Sequence, residues 1–319
     1  MKTDLVVEID GITKRFSGHV AVSGLSLAVA RGAVYGLLGP NGAGKTTTIR
    51  MIMNITIPDE GTVKLFGDEL GGRHHSARIG YLPEERGLYR KMKVRDTLIF
   101  LAEAKGVTRP VAGRKADEWL DRLGLSEWRL RMVEELSKCM QQKVQFIATM
   151  LHEPELLILD EPFSGLDPIN QQVLKDTIVH LSRAGATVIF STHQMDVAER
   201  VCDHVCIIAR GQKVLDGGLA EVKRVHGGTH VAVAFDDGSE AAASILADPG
   251  LVAKSDDYGA YAELALKDGV EPQTLLERLV RSGARLRRFE RIEPSLHRIF
   301  LDKAGPGAAD EAKTEAAHA

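Results

Sequence analysis

Cysteine is scarce in this sequence: three thiols in 319 residues cannot supply a disulfide framework, so a reducing cytosol is the expected setting. An excess of charge is lacking too. Forty-one Lys and Arg against 44 Asp and Glu leave a net −3, which gives no electrostatic footprint for nucleic acid. No apolar run approaches the ~18 residues that cross a bilayer. The opening Met1-Lys2-Thr3-Asp4 meets an acid at once and lacks the apolar core of a signal peptide. Any work at a membrane is therefore expected from outside the lipid. Short internal repeats and heptads are absent. With 44% apolar and 27% charged residues, the chain is neither disordered nor fibrous overall, and its length suits two ordinary domains.

What is present begins with short branched apolar runs at Leu5 to Ile9, Ala33 to Leu38, Leu156 to Leu159, Thr187 to Phe190 and Val205 to Ala209. Most lack period-two alternation, as strands buried on both faces of a mostly parallel sheet do. Helical patterns lie between them at Lys45 to Met53, Lys138 to Leu151 and Asn170 to Ser182. Strand and helix in alternation predict an α/β fold. From Val94 to Leu136 the pattern is helical only, which predicts a helical insertion over about 91–150. A further change at Gly217-Gly218 divides residues 1–217 from a second domain, 218–302. Its predicted order of strands and helices over Thr229 to Arg291 is βαββαβ, the order of a small ferredoxin-like α+β module. A last helix is expected at Pro294 to Asp302, and residues 303–319, rich in Ala, Gly and acids, are expected to be disordered.

Gly39-Pro40-Asn41-Gly42-Ala43-Gly44-Lys45-Thr46 fits G-x-x-x-x-G-K-[ST] between a buried strand and a helix. The glycines let backbone N–H groups converge on a phosphate chain, and the helix N-terminus adds its positive end. Lys45 would reach the β- and γ-phosphates, the Thr46 hydroxyl would ligate Mg²⁺, and Thr47 completes the candidate set. Downstream, Leu156-Leu157-Ile158-Leu159-Asp160-Glu161 is an apolar strand ending in two acids. Asp160 can hold Mg²⁺ through water, and Glu161 can orient or deprotonate an attacking water. No Asn-Lys-x-Asp segment that would read guanine is present, which disfavours a GTPase.

These residues resemble the ATPase subunits of ATP-binding cassette (ABC) transporters, from about Leu5 to Gly217 and in the family's motif order. The resemblance makes Lys45 and Thr46 the Walker A pair and Asp160 and Glu161 the Walker B pair. Ser164-Gly165-Leu166-Asp167 becomes the D-loop, and Ser191-Thr192-His193 carries the switch histidine. It implies that Phe16 stacks on adenine and that ATP and Mg²⁺ are the cofactors. It also implies that a second ATPase subunit closes on the first. Ser137, Lys138, Cys139 and Met140 would then meet the nucleotide of the opposite subunit, with Ser137 as a good helix cap.

Three departures stand out. Glu84 replaces the usual glutamine; it offers fewer donors but can coordinate Mg²⁺ or its water. Lys138 and Cys139 occupy the two glycine positions of the signature. Cys139 leaves three readings open: a tolerated small residue, weakened closure, or a redox-sensitive thiol at a helix N-terminus. The block Tyr81-Leu82-Pro83-Glu84-Glu85-Arg86-Gly87-Leu88-Tyr89 and the terminal Pro294-Ser295-Leu296-His297-Arg298-Ile299-Phe300 resemble the branch that includes sodium, multidrug and antibiotic exporters.

Without a spanning segment, such an ATPase must act through another chain. The resemblance implies a membrane permease docked near Glu84 to Val94, with Gly87, Leu88, Tyr89 and Met92 as contacts. The same side chains could equally pack the insertion onto the sheet. The expected location is cytoplasmic, peripheral on the inner face of the cell membrane. Two other classes are weighed against this reading: a soluble ABC-type ATPase not tied to transport, and a degenerate cassette that binds ATP as a switch in a heterodimer. The scattered His226, His230 and His297 of the second domain show no metal-ligand spacing.

Overall fold

The chain begins with β1 (Leu5–Phe16) and β2 (His19–Ala30), a long hairpin that turns at Ser17-Gly18. Next come β3 (Val34–Leu38), α1 (Lys45–Ile52), β4 (Glu60–Leu65), β5 (Asp68–Glu69) and β6 (Ile79–Leu82). The insertion follows as α2 (Val94–Glu103), α3 (Arg109–Arg122) and α4 (Lys138–Met150). After it come β7 (Leu156–Leu159), α5 (Pro168–Arg183), β8 (Thr187–Thr192), α6 (Met195–Val201), β9 (His204–Ala209) and β10 (Gln212–Gly218). The computed structural model describes residues 4–69, 75–85, 87–226, 229–236, 240–257, 259 and 261–304. Arg86 and the tail from 305 onward, named in the sequence reading, lie outside them.

Backbone contacts divide the chain at Gly217/Gly218 into two units. The first holds two sheets. One has the order β10-β9-β3-β8-β7-β6, with β9, β3, β8, β7 and β6 parallel. Every residue of β3, β7 and β8 is buried, as continuous apolar runs in a two-sided parallel sheet require. The other sheet, β2-β1-β4-β5, is antiparallel. Val7, Ile9, Val29 and Leu65 share one core with Ile49 and Ile52 of α1 and Leu37 of β3. This shared core fixes the loop between β3 and α1.

The insertion is held together by sparse but specific contacts. In α2, Val94, Leu98, Ile99 and Ala102 form one buried stripe, the spacing of an amphipathic helix. On α3 the buried face is small, with Ala112, Gly113, Ala116 and Leu120, so the two helices approach closely. Arg95 clamps them through two parallel bonds to Asp117, at 2.9 and 3.0 Å. Lys105, after α2, and His152, after α4, both bond the Ile79 carbonyl at the start of β6, at 3.4 and 3.1 Å.

The second unit comprises α7 (Leu219–His226), β11 (His230–Phe235), α8 (Glu240–Leu246), β12 (Val252–Asp257), β13 (Ala262–Leu266), α9 (Pro272–Arg281), β14 (Leu286–Ile292) and α10 (Leu296–Ala304). Its sheet order, β12-β13-β11-β14, is antiparallel throughout, the arrangement of a ferredoxin-like module. Val231, Val233, Leu264, Leu275 and Leu279 form its core. Ser295 accepts a bond from the Arg298 N–H at 3.1 Å, while Leu296, Ile299 and Phe300 are buried. Helix α10 runs on through Lys303 and Ala304, so the disorder expected from 303 does not begin there.

Candidate active site

The segment Gly39 to Lys45 connects β3 to α1 and needs its glycines for steric reasons. Gly39 has φ 149° and a Cβ there would run into the Ile208 carbonyl oxygen. Gly44 has φ 106° and a Cβ there would lie 2.5 Å from the Ala21 carbonyl oxygen. Both positions therefore exclude an ordinary side chain. Gly44 caps α1 without any side-chain cap bond, and the first turn carries no acid. The N–H groups of that turn thus have no anionic side chain of their own helix to meet. Lys45 is buried, 5% exposed. Its ammonium donates to the carbonyls of Gly39 (2.8 Å) and Pro40 (3.1 Å) and lies 3.2 Å from Glu161 Oε1.

The end of β7 delivers the two acids. Asp160 is 0% exposed. Its Oδ1 accepts bonds from the Ser191 hydroxyl at 2.6 Å and the Thr46 hydroxyl at 3.2 Å. Its Oδ2 is buried with no hydrogen-bond partner. Burial pushes the Asp160 carboxyl above the usual carboxylate range, against the pull of those two hydroxyls. Glu161 stands at φ 46°, a left-handed backbone that non-glycine residues adopt at a cost of about 1–3 kcal/mol and that clusters at functional sites. Its N–H donates to Ser191 Oγ at 2.9 Å, and its Oε2 lies 3.2 Å from His193 Nδ1. Burial alone would raise the Glu161 carboxyl, but the His193 bond and the Lys45 charge together hold it below its ordinary value. His193 follows the last residue of β8.

These groups open on a cavity of about 370 Å³ lined by Phe16, His19, Ala21, Asn41 to Thr47, Glu84 and Glu161. Of the residues singled out from the sequence, Phe16, Asn41 to Thr47, Glu84 and Glu161 are among its lining, whereas Gly39, Pro40, Asp160 and His193 are not. Phe16 is 51% exposed at the end of β1, where a core aromatic would be covered. Thr46, Asp160 and Glu84 offer the hard oxygen donors that Mg²⁺ takes, and the orphaned Asp160 Oδ2 fits such a cation. Ser137, Lys138, Cys139 and Met140 are not among the lining residues. They start α4, with Ser137 as its cap accepting from the Met140 N–H at 3.3 Å. Cys139 lies within the helix, so glycine's conformational freedom is not needed there.

The roles of two residues in this neighbourhood escaped the reading by motif. Ser191 clips Asp160 to the Glu161 backbone; its only sequence signal is its place two residues before His193. His19 lines the cavity beside Phe16, and the register Phe16↔His19 was the signal that could have found it.

Comparison with known proteins shows the family. Residues 22–164 match the ABC transporter family, and residues 217–304 match the C-terminal domain of DrrA1-3-like ATP-binding proteins. The chain is 43% identical over 301 residues to the ABC transporter ATP-binding protein YhaQ of Bacillus subtilis, covering 94% of this chain and 99% of that one. It is 31% identical over 316 residues to the daunorubicin/doxorubicin resistance ATP-binding protein DrrA of Streptomyces peucetius, covering 98% and 96%. A solved ATP-binding subunit of an ABC transporter superposes with TM-score 0.64 at 30% identity, over 69% of this chain and 92% of that one. Among the described residues no helix is long and apolar enough to cross a membrane. With the phosphate loop, the paired acids and these relatives in agreement, the chain belongs to the ATP-binding proteins of ABC transporters, a family of ATPases.

Proposed function

We propose that this chain is the ATP-hydrolysing subunit of an exporter, one of a pair of ATPase subunits that drive a separate membrane permease from the cytoplasmic face. The observation that carries the chemistry is the run Lys45–Glu161–His193, each within 3.2 Å of the next, at the edge of the cavity. The triphosphate takes the N–H groups of the loop from Gly42 to Thr47 and the positive end of α1. Lys45 exchanges the Gly39 and Pro40 carbonyls for β- and γ-phosphate oxygens. Thr46, Asp160 and Glu84 would hold Mg²⁺, directly or through water, and the ion supplies charge neutralisation on the phosphates when bound. Glu161 orients the attacking water and takes its proton, while His193 keeps that carboxylate in place. Phe16 stacks on the base. The signature of the second subunit, Ser137 to Met140, closes on the γ-phosphate with the N-terminus of its α4.

The exporter assignment draws on relatives described as daunorubicin/doxorubicin resistance, linearmycin resistance and Nod factor export ATP-binding proteins. The permease contact is the exposed Tyr89, 49% accessible, which meets Phe100 edge-on with ring centroids 5.4 Å apart. Gly87 is exposed beside it, while Leu88 and Met92 are half-buried. The test uses the full chain with Glu161→Gln, ATP and Mg²⁺, with molecular mass read by light scattering. A twofold mass that appears only with ATP is expected; a mass that ATP leaves unchanged overturns the closure. Isolation from solubilised membranes without an accompanying membrane protein would favour a soluble ATPase instead.

A further inference from the structure

Helix α4 starts at the signature residues and turns one face toward the loops that carry the acids. Gln142, Gln145 and Thr149 are all buried and, at i, i+3 and i+7, lie along one stripe of the helix. Gln142 Nε2 donates to the Pro162 carbonyl, one residue after Glu161, at 3.4 Å. Gln145 Nε2 donates to the Glu85 carbonyl, one residue after Glu84, at 3.2 Å. At Thr149 the helix meets β6 itself, because a Cβ at Gly80 would run into the Thr149 carbonyl. Held to β6 at Thr149 and to the loop after β6 at Gln145, the helix cannot shift without carrying that loop along.

The Gln145 amide is poorly chosen for stability alone. It is 6% exposed and its Oε1 is buried with no hydrogen-bond partner, so only its donor half is used. A buried acceptor left unmet costs at least what a hydrogen bond gives, and in a native structure such a group calls for a reason. Glu85 is exposed, so water can serve its carbonyl as well as Gln145 does. We propose that Gln145 is a positioning residue that ties the Glu84 loop to α4. When Ser137 to Met140 engage the nucleotide of the second subunit, the same movement then sets Glu84 in this subunit's own cavity. The assignment rests on the paired-subunit reading and adds a route by which one site senses the other.

The test compares the full chain, wild type and Gln145→Met, which keeps the shape and removes both polar atoms. Hydrolysis is followed against ATP concentration, with ADP affinity and the thermal midpoint measured alongside. The wild type is expected to be cooperative, with a Hill coefficient above 1 and up to about 2, the limit for two sites. Gln145→Met lowers that coefficient to about 1 and kcat about 3- to 10-fold, the worth of one hydrogen bond. Its ADP affinity stays that of wild type, and it melts no lower, because an unmet buried acceptor has gone. Cooperativity that survives in Gln145→Met overturns the assignment. A variant that loses midpoint, ADP affinity and turnover together overturns it too, because the amide is then structural. A wild type that hydrolyses ATP without cooperativity overturns the paired-subunit reading itself.

Discussion

Removing the Ser191 hydroxyl is the sharpest test of how the two acids are held. That oxygen donates to Asp160 Oδ1 at 2.6 Å and accepts the Glu161 N–H at 2.9 Å, with Ser191 fully buried. In Ser191→Ala the Glu161 N–H loses its acceptor and the buried Asp160 carboxylate loses its shortest bond. An unsatisfied buried donor and a lost charge-assisted bond sum to about 3 kcal/mol. For a unit built on residues 1–217 this lowers the midpoint of thermal unfolding by about 6–12 °C. The pH dependence carries the sign. Burial raises Asp160 in the folded state and the Ser191 bond opposes that rise, so the variant raises it further. A raised folded-state carboxyl binds more protons than the unfolded one, whose value is about 3.9, and stability falls as pH climbs through that interval. The loss caused by Ser191→Ala should thus be larger at neutral pH than near the unfolded carboxylate value of about 3.9 in calorimetry without nucleotide. An equal loss at both pH values, or a larger one at the acid end, would refute the account of Asp160.

Three further outcomes are expected. Gly80→Ala places a Cβ against the Thr149 carbonyl and 2.9 Å from Leu157 Cδ2, and should cost about 3 kcal/mol or abolish folding, read by chemical denaturation. Cys139→Gly should leave ATP turnover within about twofold of wild type, because a helical residue has no use for glycine's freedom; a large gain in rate would show that the thiol weakens closure. Tyr89→Asp should leave basal ATPase activity and melting temperature unchanged yet reduce substrate export in cells, and unaltered export would remove Tyr89 from the permease contact.

The fold was legible where structure is local. The strands β3, β7, β8 and β9 announce themselves as branched apolar runs, and Ser137 as a cap. The hairpin β1–β2 did not, because the apolar run stops at Ile9 whereas the pairing continues to Phe16 through several register shifts. Each bulge swaps the faces and erases the alternation a reader looks for. The site divides in the same way. A contiguous loop such as Gly39 to Thr46 states its chemistry in its spacing. Ser191 meets Asp160 from 31 residues away and His19 reaches the cavity through hairpin register, and both need the folded chain to be seen.

Both carboxylate oxygens of Glu161 face a partner: Oε2 meets His193, and Oε1, which has no hydrogen bond, pairs by charge with the Lys45 ammonium 3.2 Å away. On the proposed reading, a water arriving at this carboxylate before nucleotide does finds a base whose charge is already spoken for. Only when a phosphate draws the lysine away is one oxygen released to take a proton. The substrate thus unlocks its own hydrolysis, and the idle subunit is guarded by the same ammonium that later grips its fuel.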